Sequence, residues 1–147
     1  MLFCNPLIGQ TTDNSEPTVE IIELIKKTMD SKDSLSMEIQ FTNTHNGDYK
    51  INSILELRKN QIFIKSHIKD MLNEESDISF EFSKTEFENE LNRQLDALIE
   101  FNEMLILGGH YQKIKIDCDR KINTYETRKA LGLMNLFDTG GLKYKKQ

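Results

Sequence analysis

Apolar and polar positions alternate along this chain with two different periods. Leu35, Met37, Ile39 and Phe41 alternate with Ser36, Glu38, Gln40 and Thr42, the pattern of a strand buried on one face. Ile51, Ser53, Leu55 and Leu57 alternate in the same way. Between them lies His45-Asn46-Gly47. A two-residue Asn-Gly loop sets Met37 opposite Glu56, whereas a three-residue loop closing at Gly47 sets Leu35 opposite Leu57, Met37 opposite Leu55 and Phe41 opposite Ile51. The second keeps apolar residues together and is the register expected. Lys59-Asn60 as a two-residue loop then sets Leu57 opposite Ile62, Leu55 opposite Ile64, Ser53 opposite Ser66 and Ile51 opposite Ile68. A fourth strand over Ile78, Phe80 and Phe82 fits with Ile68 facing Ile78, leaving Lys69–Asp77 as a longer loop. The small pair Ser53 and Ser66, mid-face, admits a helix close to the sheet, with hydroxyls bonding across the strands.

Helical periods bracket this meander. Val19, Ile22, Ile25 and Met29 predict an amphipathic helix over Glu16–Asp30, with Pro17 suited to its first turn. Ser83-Lys84-Thr85-Glu86 has the form of a capping box, with Phe82 and Phe87 at the positions of a hydrophobic staple. The stripe Phe87, Leu91, Leu95, Leu98, Phe101 and Leu105 carries that helix over Lys84–Leu107 to Gly108-Gly109. It is the expected cover of the sheet. A hairpin follows, Gln112–Cys118 and Ile122–Thr127 about a turn at Asp119-Arg120-Lys121, with Ile114, Ile116 and Cys118 pointing one way. A short helix is expected around Arg128–Phe137, with Leu131, Met134 and Phe137 on one side. The fold class is therefore α+β: two layers, a four-stranded antiparallel meander plus a C-terminal hairpin, and a long helix on one sheet face.

The chain divides into residues 1–16, a flexible N-terminal segment, a single domain over 17–138, and a basic tail over 139–147. Leu2, Phe3, Leu7 and Ile8 suit either the end of a signal peptide begun upstream or a terminal segment packing on the domain. The first implies a periplasmic or secreted protein, the second a cytoplasmic one. The sequence leaves both open, along with the oligomeric state.

Composition narrows the function. The 147 residues suit one domain, and the net charge of -5 argues against a general nucleic-acid binder. No run approaches the roughly 18 apolar residues of a membrane helix. Acids dominate residues 1–107, twenty against ten bases, while residues 108–147 hold nine bases and four acids. No catalytic or cofactor motif emerges. His45, His67 and His110 form no catalytic spacing, and Asp117, Asp119 and His110 have no metal-family spacing, so no metal or cofactor is expected. Cys118 has the phase of an inert core thiol. Glu74, Glu75 and Asp77 read as solubilising charges near an edge strand.

The reverse face of the meander holds the candidate binding residues: Glu38, Ile54, Glu56, Phe63, Lys65, His67 and Glu81, joined by Tyr49 as a second aromatic anchor. In the expected register Ile54 and Phe63 are diagonal neighbours and Lys65 lies between Ile54 and Glu81. An apolar spot ringed by charges and amides has the makeup of a recognition surface. With the capped acidic helix Ser83–Leu107, this polar face resembles, in general form, small bacterial immunity-type proteins, which are compact, acidic and free of catalytic motifs. The resemblance implies a non-catalytic binding protein that neutralises or caps a protein partner, such as a basic toxin or enzyme. The competing readings are a small secreted or periplasmic structural or adaptor domain and, behind it, a small hydrolase-type enzyme built on a histidine or carboxylate.

Overall fold

The computed structural model describes residues 17–43, 49–101, 112–127 and 129–144. Helix α1 (Pro17–Asp30) is followed by strands β1 (Ser34–Asn43), β2 (Lys50–Arg58), β3 (Gln61–Lys69) and β4 (Glu75–Ser83). Then come helix α2 (Lys84–Phe101), strands β5 (Gln112–Cys118) and β6 (Lys121–Thr127), helix α3 (Leu131–Asp138) and a 3-10 turn, Gly141–Tyr144. The architecture is α+β, and the strands form one six-stranded antiparallel sheet in the order β4-β3-β2-β1-β5-β6. The C-terminal hairpin is thus part of the same sheet as the meander: β5 adds to the free edge of β1, pairing Ile39 with Ile116 and Phe41 with Ile114.

Apolar alternation sets the first two registers as the sequence predicts. Leu35 faces Leu57, Met37 faces Leu55 and Phe41 faces Ile51; Leu55 then faces Ile64 and Ser53 faces Ser66. The loop at His45-Asn46-Gly47 lies outside the described residues. The β3–β4 register differs from the expected one by two residues. Ile68 faces Ser76, and Ile78 faces Ser66. Turn chemistry decides this. The Asp70 carboxylate accepts the Leu72 N–H (2.8 Å) and the Glu74 N–H (2.9 Å), and Asn73 takes φ 63, a left-handed conformation that Asn tolerates. The connection therefore closes over residues 70–74, and pairing continues from Lys69 and Glu75. The β5–β6 turn is also tighter than expected. Asp119 (φ 53) and Arg120 (φ 66) form a two-residue loop of the type whose twist suits a hairpin, and Cys118 pairs with Lys121.

The three helices among the described residues cover one face. Ile21, Ile22, Ile25 and Met29 of α1, Phe87, Leu91 and Leu98 of α2, and Leu133, Met134, Leu136 and Phe137 of α3 join Met37, Ile39, Leu55, Ile64, Ile114 and Ile116 in one core. Leu131, expected inward, is exposed, because the buried side of α3 is centred on Leu133 and Phe137. The α2 start has both expected devices. Ser83 Oγ accepts the Glu86 N–H (3.1 Å), Glu86 Oε1 accepts the Ser83 N–H (2.8 Å), and the Phe82 and Phe87 rings lie 5.4 Å apart. The helix seated over the small serines is α3 rather than α2: Ser66 Oγ donates to the Phe137 carbonyl (2.6 Å) and lies 2.7 Å from Ser53 Oγ.

Within the segment expected as a basic tail, Gly141–Tyr144 packs on β4. The Tyr144 ring meets Phe80 and Phe82, its hydroxyl donates to the Glu81 carbonyl (2.6 Å) and accepts the Glu81 N–H (3.0 Å), and Lys143 Nζ bonds Glu86 (2.9 Å). Gly140 (φ 85) makes this return possible, since a Cβ there would lie 2.6 Å from both Phe80 and Tyr144.

Candidate functional site

The described helices all lie on the core side, so among the described residues the reverse of the sheet carries no helix, and its side chains run in rows across the strands. The central row is Ser79, Lys65, Ile54, Glu38, Asp117 and Ile122. Strand pairing thus brings Glu38, Ile54 and Lys65 side by side. Ile54 is 45% exposed and Ile122 54%. A shallow depression of about 290 Å³ lies between the β1–β4 part of this row and the row beside it, lined among others by Glu38, Asn52, Ile54, Lys65, His67 and Asp77.

The next row holds Glu81, Phe63 and Glu56. The two-residue shift of β4 corrects the expected placement: Glu81 faces Phe63, and Lys65 faces Ser79 instead. Glu56 and Phe63 are already partnered within the molecule. Arg58 bonds the Glu56 carboxylate at 2.8 Å and lays its guanidinium 4.8 Å from the Phe63 ring centre. Glu81 sits at the sheet edge, where its backbone is held by Tyr144.

The row on the other side begins Asp77, His67, Asn52. His67 Nδ1 lies 2.7 Å from Asp77 Oδ1, and Nε2 lies 2.7 Å from Glu75 Oε1. The bond to Asp77 first, then that to Glu75, raises the imidazole pKa, since both ring nitrogens donate only in the charged form. Sequence reasoning missed this group because the expected register placed Glu75 and Asp77 in a loop. It also missed Asp117, which the β1–β5 pairing sets directly opposite Glu38.

Tyr49 does not join the others. It packs against the core, and its hydroxyl donates to Asp138 Oδ2 of α3 at 2.8 Å. Burial, then that bond, holds the phenol far above its ordinary pKa, and burial likewise raises the Asp138 carboxyl. Cys118 is half-buried, and its thiol is pushed up by burial, the opposite of an activated nucleophile. Among the described residues no group of His, Cys, Asp and Glu is arranged to hold a metal ion, and no helix is long and apolar enough to cross a membrane. His45 and His110 lie outside the described residues.

Compared with known proteins, no family model, no curated protein and no solved structure matches this chain.

Proposed function

We propose that the chain is a non-catalytic binding protein of the immunity or inhibitor type, which caps a protein partner through the open face of its sheet. The observation that carries this reading is the central row. Exposed Ile54 sits in a depression beside Glu38, and Glu38 is set directly opposite a second acid, Asp117. Like charges directly opposite in a ladder cost stability, and a cationic group placed over both relieves that cost. An apolar residue beside them supplies area for desolvation once such a partner has docked. The six-stranded sheet holds these groups at fixed spacings, so little ordering is required on binding. Acids on a rigid face also steer a basic partner during approach.

The test is recovery of a partner on the immobilised chain, followed by association kinetics at low and high salt. Glu38→Lys is expected to slow association about tenfold at low salt and less at high salt. Ile54→Asp is expected to speed dissociation by a similar factor. Unchanged kinetics in both variants would assign the contact to another surface.

A further inference from the structure

One end of the open face carries charge of the opposite sign. Pairing sets Lys69 directly opposite Lys50, and Lys113 follows one strand beyond, across Thr42. Lys115 lies two residues along β5, on the same face. This is a second like-charge juxtaposition on the ladder, in a chain whose net charge is -5. Among the described residues none of these four lysines makes an ion pair. Acids do stand nearby. Glu75 is directly across from Lys69, but its carboxylate is bonded to His67 at 2.7 Å. Asp77 is held by the other nitrogen of the same ring. Glu126 faces Lys113 from β6.

We infer that the band Lys69, Lys50, Lys113 and Lys115 is a binding strip for an acidic polypeptide segment. The spacing suits one. Directly paired residues have backbones about 5 Å apart, and two strand spacings separate Lys50 from Lys113 by about 10 Å. Lys113 and Lys115 are about 7 Å apart along their strand, the same interval as same-side carboxylates on an extended peptide. A polypeptide fits better than a nucleic acid. The described residues of the band include no aromatic side chain on which a base can stack. Glu75 and Asp77 border it, and a peptide, unlike a continuous phosphate backbone, can set uncharged residues beside them. The strip is separate from the Ile54 depression and stands whether or not that depression binds.

The probe is a labelled peptide of about ten residues alternating glutamate and threonine, so that its acids share one side. Binding is read by fluorescence anisotropy, with a single-stranded oligonucleotide of equal charge as comparison. The expected result is binding at low salt that weakens at least about tenfold at high salt. Lys50→Glu with Lys69→Glu should weaken it at least about tenfold, and the charge-neutral pair Lys50→Gln with Lys69→Gln about fivefold, each lysine being worth a factor of about two to five. Glu38→Lys, on the other half of the face, should leave it unchanged or tighter, so this result is independent of the fate of the Ile54 reading. Absence of binding at low salt, equal binding by the lysine variants, or tighter binding of the oligonucleotide would each overturn the inference.

Discussion

Ser66 shows how one hydroxyl can place an element. Its oxygen lies 2.7 Å from Ser53 and donates to the carbonyl of Phe137, and the site is 2% exposed. Ser66→Ala leaves that carbonyl unpaired away from water, so a loss of about 1–2 kcal/mol is expected in denaturant unfolding, with the slope unchanged. The sequence signalled this site, because two small polar residues interrupt an otherwise apolar face at the same level. It did not signal which helix would use it. His67 is the converse case. Its bonds to Asp77 and Glu75 raise its pKa in the folded state, so folding favours the protonated ring. That stabilisation is full below the ordinary histidine value of about 6.5 and is lost as pH rises through the raised folded-state value. On the acid side it fades once Asp77 and Glu75 take up protons. The melting-temperature gap between wild type and His67→Gln should therefore be widest near pH 6 and close toward alkaline pH. A gap that widens with pH would show that the ring is not held as the imidazolium.

At the scale of elements, the hairpins separate two kinds of information. Alternation, together with the short loops expected at His45-Asn46-Gly47 and Lys59-Asn60, fixed β1 against β2 and β2 against β3, because slipping by one residue turns every apolar side chain toward water. A slip of two keeps the phase, so alternation says nothing against it. Matching Ile68 with Ile78 favours one such register; the Asp70 turn imposes the other. The result leaves Ile78 at 36% exposure and creates the His67 group. Asp70→Ala removes both turn bonds and is expected to cost about 1–2 kcal/mol. Hydrogen exchange should speed up first at the start of β4, with the α2 amides little changed; uniform acceleration would mean that the turn has no local role. The opposite end of β4 is secured differently, by Tyr144 occupying both backbone groups of Glu81 on the free edge. That contact joins residues 63 apart in sequence, and no local pattern announces it.

At the scale of the molecule, the three described helices share one face of the sheet, and among the described residues the other face carries no helix; that face is the one proposed for binding. Sequence alone determined which side chains share a face, where α2 begins, and that two layers form, because these follow from periods of two and 3.6 and from contacts between near neighbours in the chain. It also identified Glu38, Ile54 and Lys65 as residues of one face, which the pairing then made adjacent. Only the tertiary structure decided that β5 completes the sheet beside β1, that Asp117 faces Glu38, that Arg58 covers Phe63, and that α3 rests on Ser66. It also carried Tyr49 to the core side, where it meets Asp138. The physical reason is range. Local periodicity encodes which way a side chain points, whereas the neighbour it meets depends on strand order and register, set by burial summed over the whole sheet and by turns whose hydrogen bonds outweigh a pairwise apolar match.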